Sequence, residues 1–129
     1  MKLKYTILYV KDVSKSLDFY QRAFNFKTKM LHQSGDYGEL DSGNTTLSFS
    51  SLKLMTELGK SPKQARKDAP TFEIAFETTD VKQALDRAIS AGAKLIQEVR
   101  EEPWGQTTSY VSDIDDFLIE ICSPIENQA

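Results

Sequence analysis

The feature that most limits what this chain can fold into is an internal repeat. Asp12-Val13 and Asp80-Val81 stand 68 residues apart, as do Leu17 and Leu85, while Asp41 and Asp113 stand 72 apart, as do Leu47 and Ile119. A constant offset with one insertion of four residues is what a duplicated unit leaves behind. The fold is therefore expected to consist of two related halves.

Within each half the pattern is strand, helix, then three strands. Leu3 to Val10 is rich in β-branched and aromatic residues and too short for a typical helix. Asp12 is a candidate N-cap, after which Val13, Leu17, Tyr20 and Phe24 recur at helical spacing, with Ser14, Lys15, Asp18 and Gln21 on the other side. Phe26 to Leu31 alternates with Lys27 and Lys29 outward, and Tyr37 to Leu40 forms a short strand. Asp41-Ser42-Gly43-Asn44 is a turn, and Thr45 to Ser50 closes the half.

The cycle returns from Thr71, with a strand over Phe72 to Thr78 and a helix from Asp80 that has Val81, Ala84, Leu85, Ala88 and Ile89 on one face and Gly92 as its stop. Lys94 to Val99, Thr107 to Val111 and Leu118 to Cys122 complete it, with a turn at Asp113-Ile114-Asp115-Asp116. Between the halves, from Ser51 to Pro70, periodicity is lost, and Gly59, Pro62 and Pro70 punctuate a connector with room for one short helix over Leu52 to Leu58. The expectation is one α+β domain over residues 1–129, with a βαβββ module at about 1–50, a connector at 51–70 and a second βαβββ module at about 71–125.

Composition narrows function by exclusion. With 129 residues, 40% of them hydrophobic, the chain can bury roughly two thirds of its unfolded surface. A net charge of −3 gives no general attraction to nucleic acid or anionic lipid. The basic stretch Lys60 to Lys67 has no aromatic residue to stack a base and reads as a solvated loop. Cys122 is the sole cysteine, so no intrachain disulfide can form, and its apolar-alternating surroundings suit a small strand residue rather than a reactive thiol. Met1 to Thr6 lacks the apolar core of a signal peptide, and no run approaches the ~20 apolar residues that span a bilayer. A cytoplasmic protein with no membrane or nucleic-acid partner is expected.

The segment Tyr9-Val10-Lys11-Asp12-Val13-Ser14-Lys15-Ser16-Leu17-Asp18-Phe19-Tyr20 resembles the first-helix signature of the vicinal-oxygen-chelate superfamily, which includes glyoxalase I, bleomycin-resistance proteins and extradiol dioxygenases. Asp113-Ile114-Asp115-Asp116-Phe117-Leu118-Ile119-Glu120 resembles its closing Asp-Pro-Asp-Gly-aromatic-x-x-Glu hairpin. Gly35-Asp36-Tyr37-Gly38-Glu39-Leu40-Asp41 and Pro103-Trp104-Gly105-Gln106-Thr107 resemble a bacterial glyoxalase or bleomycin-resistance-related subgroup.

The resemblance implies two βαβββ modules whose sheets curl around an open cavity. In the metal-dependent families four inward side chains, typically two His and two Glu from the first and last strand of each module, chelate a divalent ion. The motifs place Tyr5 and Ser48 in the first module's slots and Glu73 and Glu120 in the second's, and the repeat agrees, with offsets of 68 and 72. Of the family's ligand types only Glu120 is in place.

Zinc or nickel prefers imidazole nitrogen, whereas this set could hold at best a weakly bound Mg²⁺ or Mn²⁺. No cofactor is expected, weak Mg²⁺ or Mn²⁺ being the alternative. The resemblance therefore implies a metal-free small-molecule-binding protein of the glyoxalase/bleomycin-resistance type, with Tyr5, Ser48, Trp104 and Gln106 as ligand contacts. Glu73 and Glu120 would repel each other in one cavity, so one of them could keep a proton and serve as general acid or base. The competing reading is a lyase or isomerase acting beside a carbonyl, with one of these glutamates as base.

His32, flanked by Gln33, Ser34, Gly35 and Asp36, reads as a surface-loop residue. Trp104 reads as a ligand platform or a dimer contact. Tyr37, Phe49 and Tyr110 read as barrel-face core residues rather than ligand contacts. A homodimer is expected, because each module leaves one sheet face to be covered.

Overall fold

The structure, a computed structural model, describes residues 1–125 and divides into two units, Met1–Ala65 and Arg66–Ala129. The first contains β1 (Tyr5–Val10), α1 (Val13–Phe24), β2 (Lys27–Leu31), β3 (Tyr37–Asp41), β4 (Thr46–Ser51) and α2 (Leu52–Glu57). The second contains β5 (Glu73–Glu77), α3 (Val81–Ser90), β6 (Lys94–Glu101), β7 (Thr107–Ser112) and β8 (Leu118–Cys122). Each unit is a βαβββ module, as the repeat requires, and α2 is the short helix anticipated after the first module.

The sheets run β1-β4-β3-β2 and β5-β8-β7-β6. In each, the first strand lies parallel to the last and the other pairs are antiparallel. Both helices start on an aspartate cap: Asp12 Oδ1 accepts from the Lys15 amide at 3.1 Å and Asp80 Oδ1 from the Gln83 amide at 3.0 Å.

The ladders locate one of the four inserted residues. Ile7 lies opposite Ser48 and Ala75 opposite Glu120, so the first and last strands of each module keep the offsets of 68 and 72. Glu39 faces Ser48 and Tyr110 faces Glu120, so the third strand is offset by 71. One extra residue therefore sits in the last hairpin, whose connection spans residues 113–117 against 42–45 in the first unit. This corrects the match of Asp41 with Asp113, because register equates Asp113 with Ser42. Both organise their turn: Ser42 Oγ accepts from the Leu47 amide at 2.8 Å, and Asp113 Oδ1 from the amides of Asp115 at 2.8 Å and Phe117 at 2.9 Å.

Each helix covers one face of its sheet. Val13, Leu17, Phe19, Tyr20 and Ala23 of α1 are buried, as are Leu8, Val10, Leu40, Leu47 and Phe49 of the strands, and the Tyr20 and Phe49 rings lie 5.1 Å apart. In the second unit Val81, Leu85 and Ala88 of α3 are buried, as are Val111, Ile119 and Ile121. Ile89, placed on that face by its spacing, is exposed in the last turn, and β2 is exposed along its whole length rather than on alternate residues. Among the described residues no helix is long and apolar enough to cross a membrane. Strand alternation leaves each sheet a second, helix-free face, and the candidate site residues of the strands lie there.

Candidate functional site

In the second unit Glu73 begins β5 and Glu120 lies in the middle of β8. Glu73 pairs with Leu118 and Ala75 with Glu120, so the two carboxylates are diagonal neighbours on adjacent parallel strands. Tyr110 stands across from Glu120 on β7, and its Oη lies 2.7 Å from Glu120 Oε2 and 3.0 Å from Glu73 Oε2. Two carboxylates thus converge on one phenol, which has a single proton to donate.

Burial, and then hydrogen bonding and charge from both glutamates, push the Tyr110 phenol far above its ordinary range, so it is a protonated donor at neutral pH. Glu73 is exposed, while Tyr110 and Glu120 are partly buried. Among the described residues none of the ion pairs involves Glu73, Glu77 or Glu120. Cys122, on the same strand as Glu120, is buried with its thiol pushed up by desolvation and then by Glu120, which suits an unreactive strand residue.

The first unit builds a different polar group at the equivalent place. Tyr5 is exposed at the start of β1 and Ser48 is buried in β4. Tyr37 Oη donates to Glu39 Oε2 at 2.8 Å. Burial raises the Tyr37 phenol, a hydrogen bond with Ser48 opposes that shift, and Glu39 and Tyr5 add to it. The first unit thus brings Tyr5 and Ser48 together around Tyr37, and the second brings Glu73 and Glu120 together around Tyr110.

Trp104 and Gln106 lie in the β6–β7 loop. Trp104 is 56% exposed; its Nε1 donates to Gln106 Oε1 at 2.8 Å, and Gln106 Nε2 donates to the Ser123 carbonyl at 2.9 Å. Gln106 therefore anchors the indole to the chain just beyond β8, and neither residue hydrogen-bonds the carboxylate pair. His32 is exposed, and its Nδ1 is engaged by the Ser34 hydroxyl at 2.8 Å and amide at 3.1 Å, a turn-closing arrangement.

Tyr110, Tyr37 and Glu39 were not singled out by sequence reasoning as site residues. Tyr37 and Tyr110 are half-buried and join the polar groups of the helix-free face, whereas Phe49 lies in the core under α1. The missing signal was turn length. A four-residue turn at 113–116 pairs Glu120 with Ser109, whereas the observed connection through 117 pairs it with Tyr110.

The residues present do not fit the metal that the resemblance implies. Among the described residues no three His, Cys, Asp or Glu side chains group so as to hold an ion. Tyr5 and Ser48 supply only hydroxyls, and Glu73 and Glu120 meet on a protonated phenol.

The model of the glyoxalase-like domain family matches residues 3–126. The chain is 28% identical over 124 residues to the uncharacterized protein YraH of Bacillus subtilis (strain 168), covering 94% of this chain and 97% of that protein. It is 31% identical over 128 residues to a lactoylglutathione lyase of Neisseria meningitidis serogroup B, covering 93% and 88%. A glyoxalase-related enzyme from Fulvimarina pelagi shares the fold with a TM-score of 0.82 at 17% identity, covering 96% of this chain and 88% of that one. Sequence repeat, sheet topology and these matches agree, and the chain belongs to the glyoxalase-like domain family of the vicinal-oxygen-chelate superfamily.

Proposed function

We propose that this chain binds a small molecule, without a resident metal, in the manner of glyoxalase/bleomycin-resistance-type binding proteins, and that Glu73, Tyr110 and Glu120 on the helix-free face of the second unit supply polar contacts. One observation carries the reading: carboxylates from two strands converge on a single phenol on a partly open face, with no cation paired to either among the described residues. Holding two like charges together works against stability, which is characteristic of functional sites. Such a face offers strong acceptors to a ligand's N–H or O–H groups. Trp104 offers an aromatic surface nearby in sequence, oriented by Gln106. On the first unit Tyr5 and Ser48, with Tyr37 and Glu39, are the contacts in this reading.

The reading includes a cytoplasmic homodimer with no nucleic-acid or membrane partner. Light scattering that finds only the 14.6 kDa monomer at micromolar concentration removes the dimer from it.

A second reading, a lyase or isomerase with Glu120 or Glu73 as base beside a carbonyl and with or without weakly held Mg²⁺ or Mn²⁺, is favoured by the 31% identity to the Neisseria lactoylglutathione lyase. A thermal-shift screen of carbonyl metabolites, aromatic antibiotics and amines, followed by calorimetry of each hit on Glu73→Gln and Glu120→Gln, tests both. Weakened binding in the variants supports the site. Conversion of a carbonyl hit, or exchange of its α-proton with solvent, selects the enzyme. A binder indifferent to both variants shows that the site lies elsewhere.

A further inference from the structure

We infer that the Tyr110 hydroxyl takes the place of a divalent ion between Glu73 and Glu120, and that removing this side chain turns the carboxylate pair into an ion site. The inference rests on reading these two glutamates as the working pair of the second unit, but its test needs no ligand.

The geometry is one of exclusion. Mg²⁺ sits at about 2.0–2.1 Å from its oxygen ligands in a tight octahedron. Tyr110 Oη, at 2.7 Å from one Oε2 and 3.0 Å from the other, fills the space on which both carboxylates converge. An entering ion would have to displace the phenol or take it as a phenolate ligand. Displacement forfeits both hydrogen bonds. Ligation would likewise cost the hydrogen bond to each carboxylate.

The first unit offers an independent parallel. There Tyr37 Oη donates to Glu39 Oε2 at 2.8 Å, and Glu39 lies directly across from Ser48, the strand position equivalent to Glu120. In both halves a phenol–carboxylate hydrogen bond stands beside the position from which the resemblance draws a metal ligand.

The test is a Mn²⁺ titration of the full chain, reading free Mn²⁺ by electron paramagnetic resonance. The parent, Tyr110→Leu and Tyr110→Thr are compared, the second substitution serving if the first does not fold, with circular dichroism as the check. The parent is expected to show no stoichiometric binding below millimolar Mn²⁺. Each variant should take up one ion per chain at least about tenfold more tightly, and adding Glu120→Gln should abolish the gain. Parent binding as tight as the variants', no gain in either folded variant, or a gain that survives Glu120→Gln would each overturn the inference. The ligand reading fails separately, through binders indifferent to the carboxylates, and that result leaves the Mn²⁺ comparison standing.

Discussion

Glu39 and Tyr110 occupy the same position of the repeat, Glu39 facing Ser48 across the first unit's β3–β4 ladder and Tyr110 facing Glu120 across the second unit's β7–β8 ladder. Acid and hydroxyl have traded strands. Each unit nevertheless keeps a tyrosine donating to a glutamate, along one strand between Tyr37 and Glu39 at 2.8 Å and across two strands between Tyr110 and Glu120 at 2.7 Å. The exchange leaves the carboxylates unequal, because only the second unit has two of them on one phenol. The duplicated backbone has kept its geometry while its halves took on different polar chemistry.

Glu120→Gln removes one charge of the pair while leaving Tyr110 an acceptor. Its thermal midpoint should therefore equal or exceed the parent's, and exposed Glu73→Gln should stay within about ±0.5 kcal/mol. Any ligand held by the pair should lose about tenfold or more in affinity in either variant, as charge-assisted hydrogen bonds become neutral ones. Calorimetry on a screen hit, beside a melting curve, checks both halves of this expectation.

Tyrosine ionisation gives a second check. Of the five tyrosines, Tyr37 and Tyr110 have phenols raised by burial and nearby carboxylates, so a tyrosinate absorbance titration should show late-ionising groups, one of which disappears in Tyr110→Phe. The sign for stability follows. The folded state holds the Tyr110 proton more tightly than the unfolded chain, whose phenols ionise near pH ~10. That contribution is fully present below about pH 10 and is lost as pH rises from there through the folded value. Unfolding free energy measured in urea should fall more steeply with alkaline pH in the parent than in Tyr110→Phe. Equal slopes would count against the hydrogen bonds from Tyr110 to the two glutamates.

Trp104 is the sole tryptophan and 56% exposed, so its emission should be water-like and readily quenched by acrylamide. Gln106→Ala frees the indole N–H and the Ser123 carbonyl, which should increase quenching and cost about 0.5–1.5 kcal/mol. A ligand stacked on the indole should reduce quenching. A dimer contact would instead make quenching depend on protein concentration.

Most of the architecture is legible in the sequence because local rules and the repeat agree. Asp12 reads as a cap and Asp80 as the start of a helix, both cap, and the apolar spacing after each gives a helix in the right place. The carboxylate pair is legible through the resemblance, whose motifs place Glu73 and Glu120 in equivalent slots, with the repeat offsets of 68 and 72 in agreement. Tyr110 is not, because the face a strand residue occupies flips with a one-residue change in turn length, and residue types alone left the extent of the turn at 113–117 open. The exposure of Ile89 and of all of β2 depends on what lies over them, which periodicity does not report. The bond from Trp104 to Gln106 is a rotamer choice around Gly105, invisible to pattern.

The approach of α1 to β3 at Gly38 gives a paired prediction. Gly38 and Ser109 are equivalent by register, facing Phe49 and Ile121 respectively, and both are buried under their helices. At Gly38 an added Cβ would fall 2.7 Å from Leu17 Cδ1, 3.1 Å from Val13 Cγ1 and 3.3 Å from the Met30 carbonyl oxygen. Leu17 and Val13 are packed core residues and the carbonyl belongs to β2, so Gly38→Ala should destabilise by about 1–3 kcal/mol, the usual cost of overpacking. Ser109 already carries a Cβ, but its buried Oγ has no hydrogen-bond partner among the described residues. Ser109→Ala removes that unsatisfied hydroxyl and little volume, and should stabilise by about 1 kcal/mol. Urea unfolding of the two variants beside the parent reads both. If Gly38→Ala is neutral, α1 and β3 give way at little cost, and if Ser109→Ala destabilises, its hydroxyl has a partner, most simply a bound water.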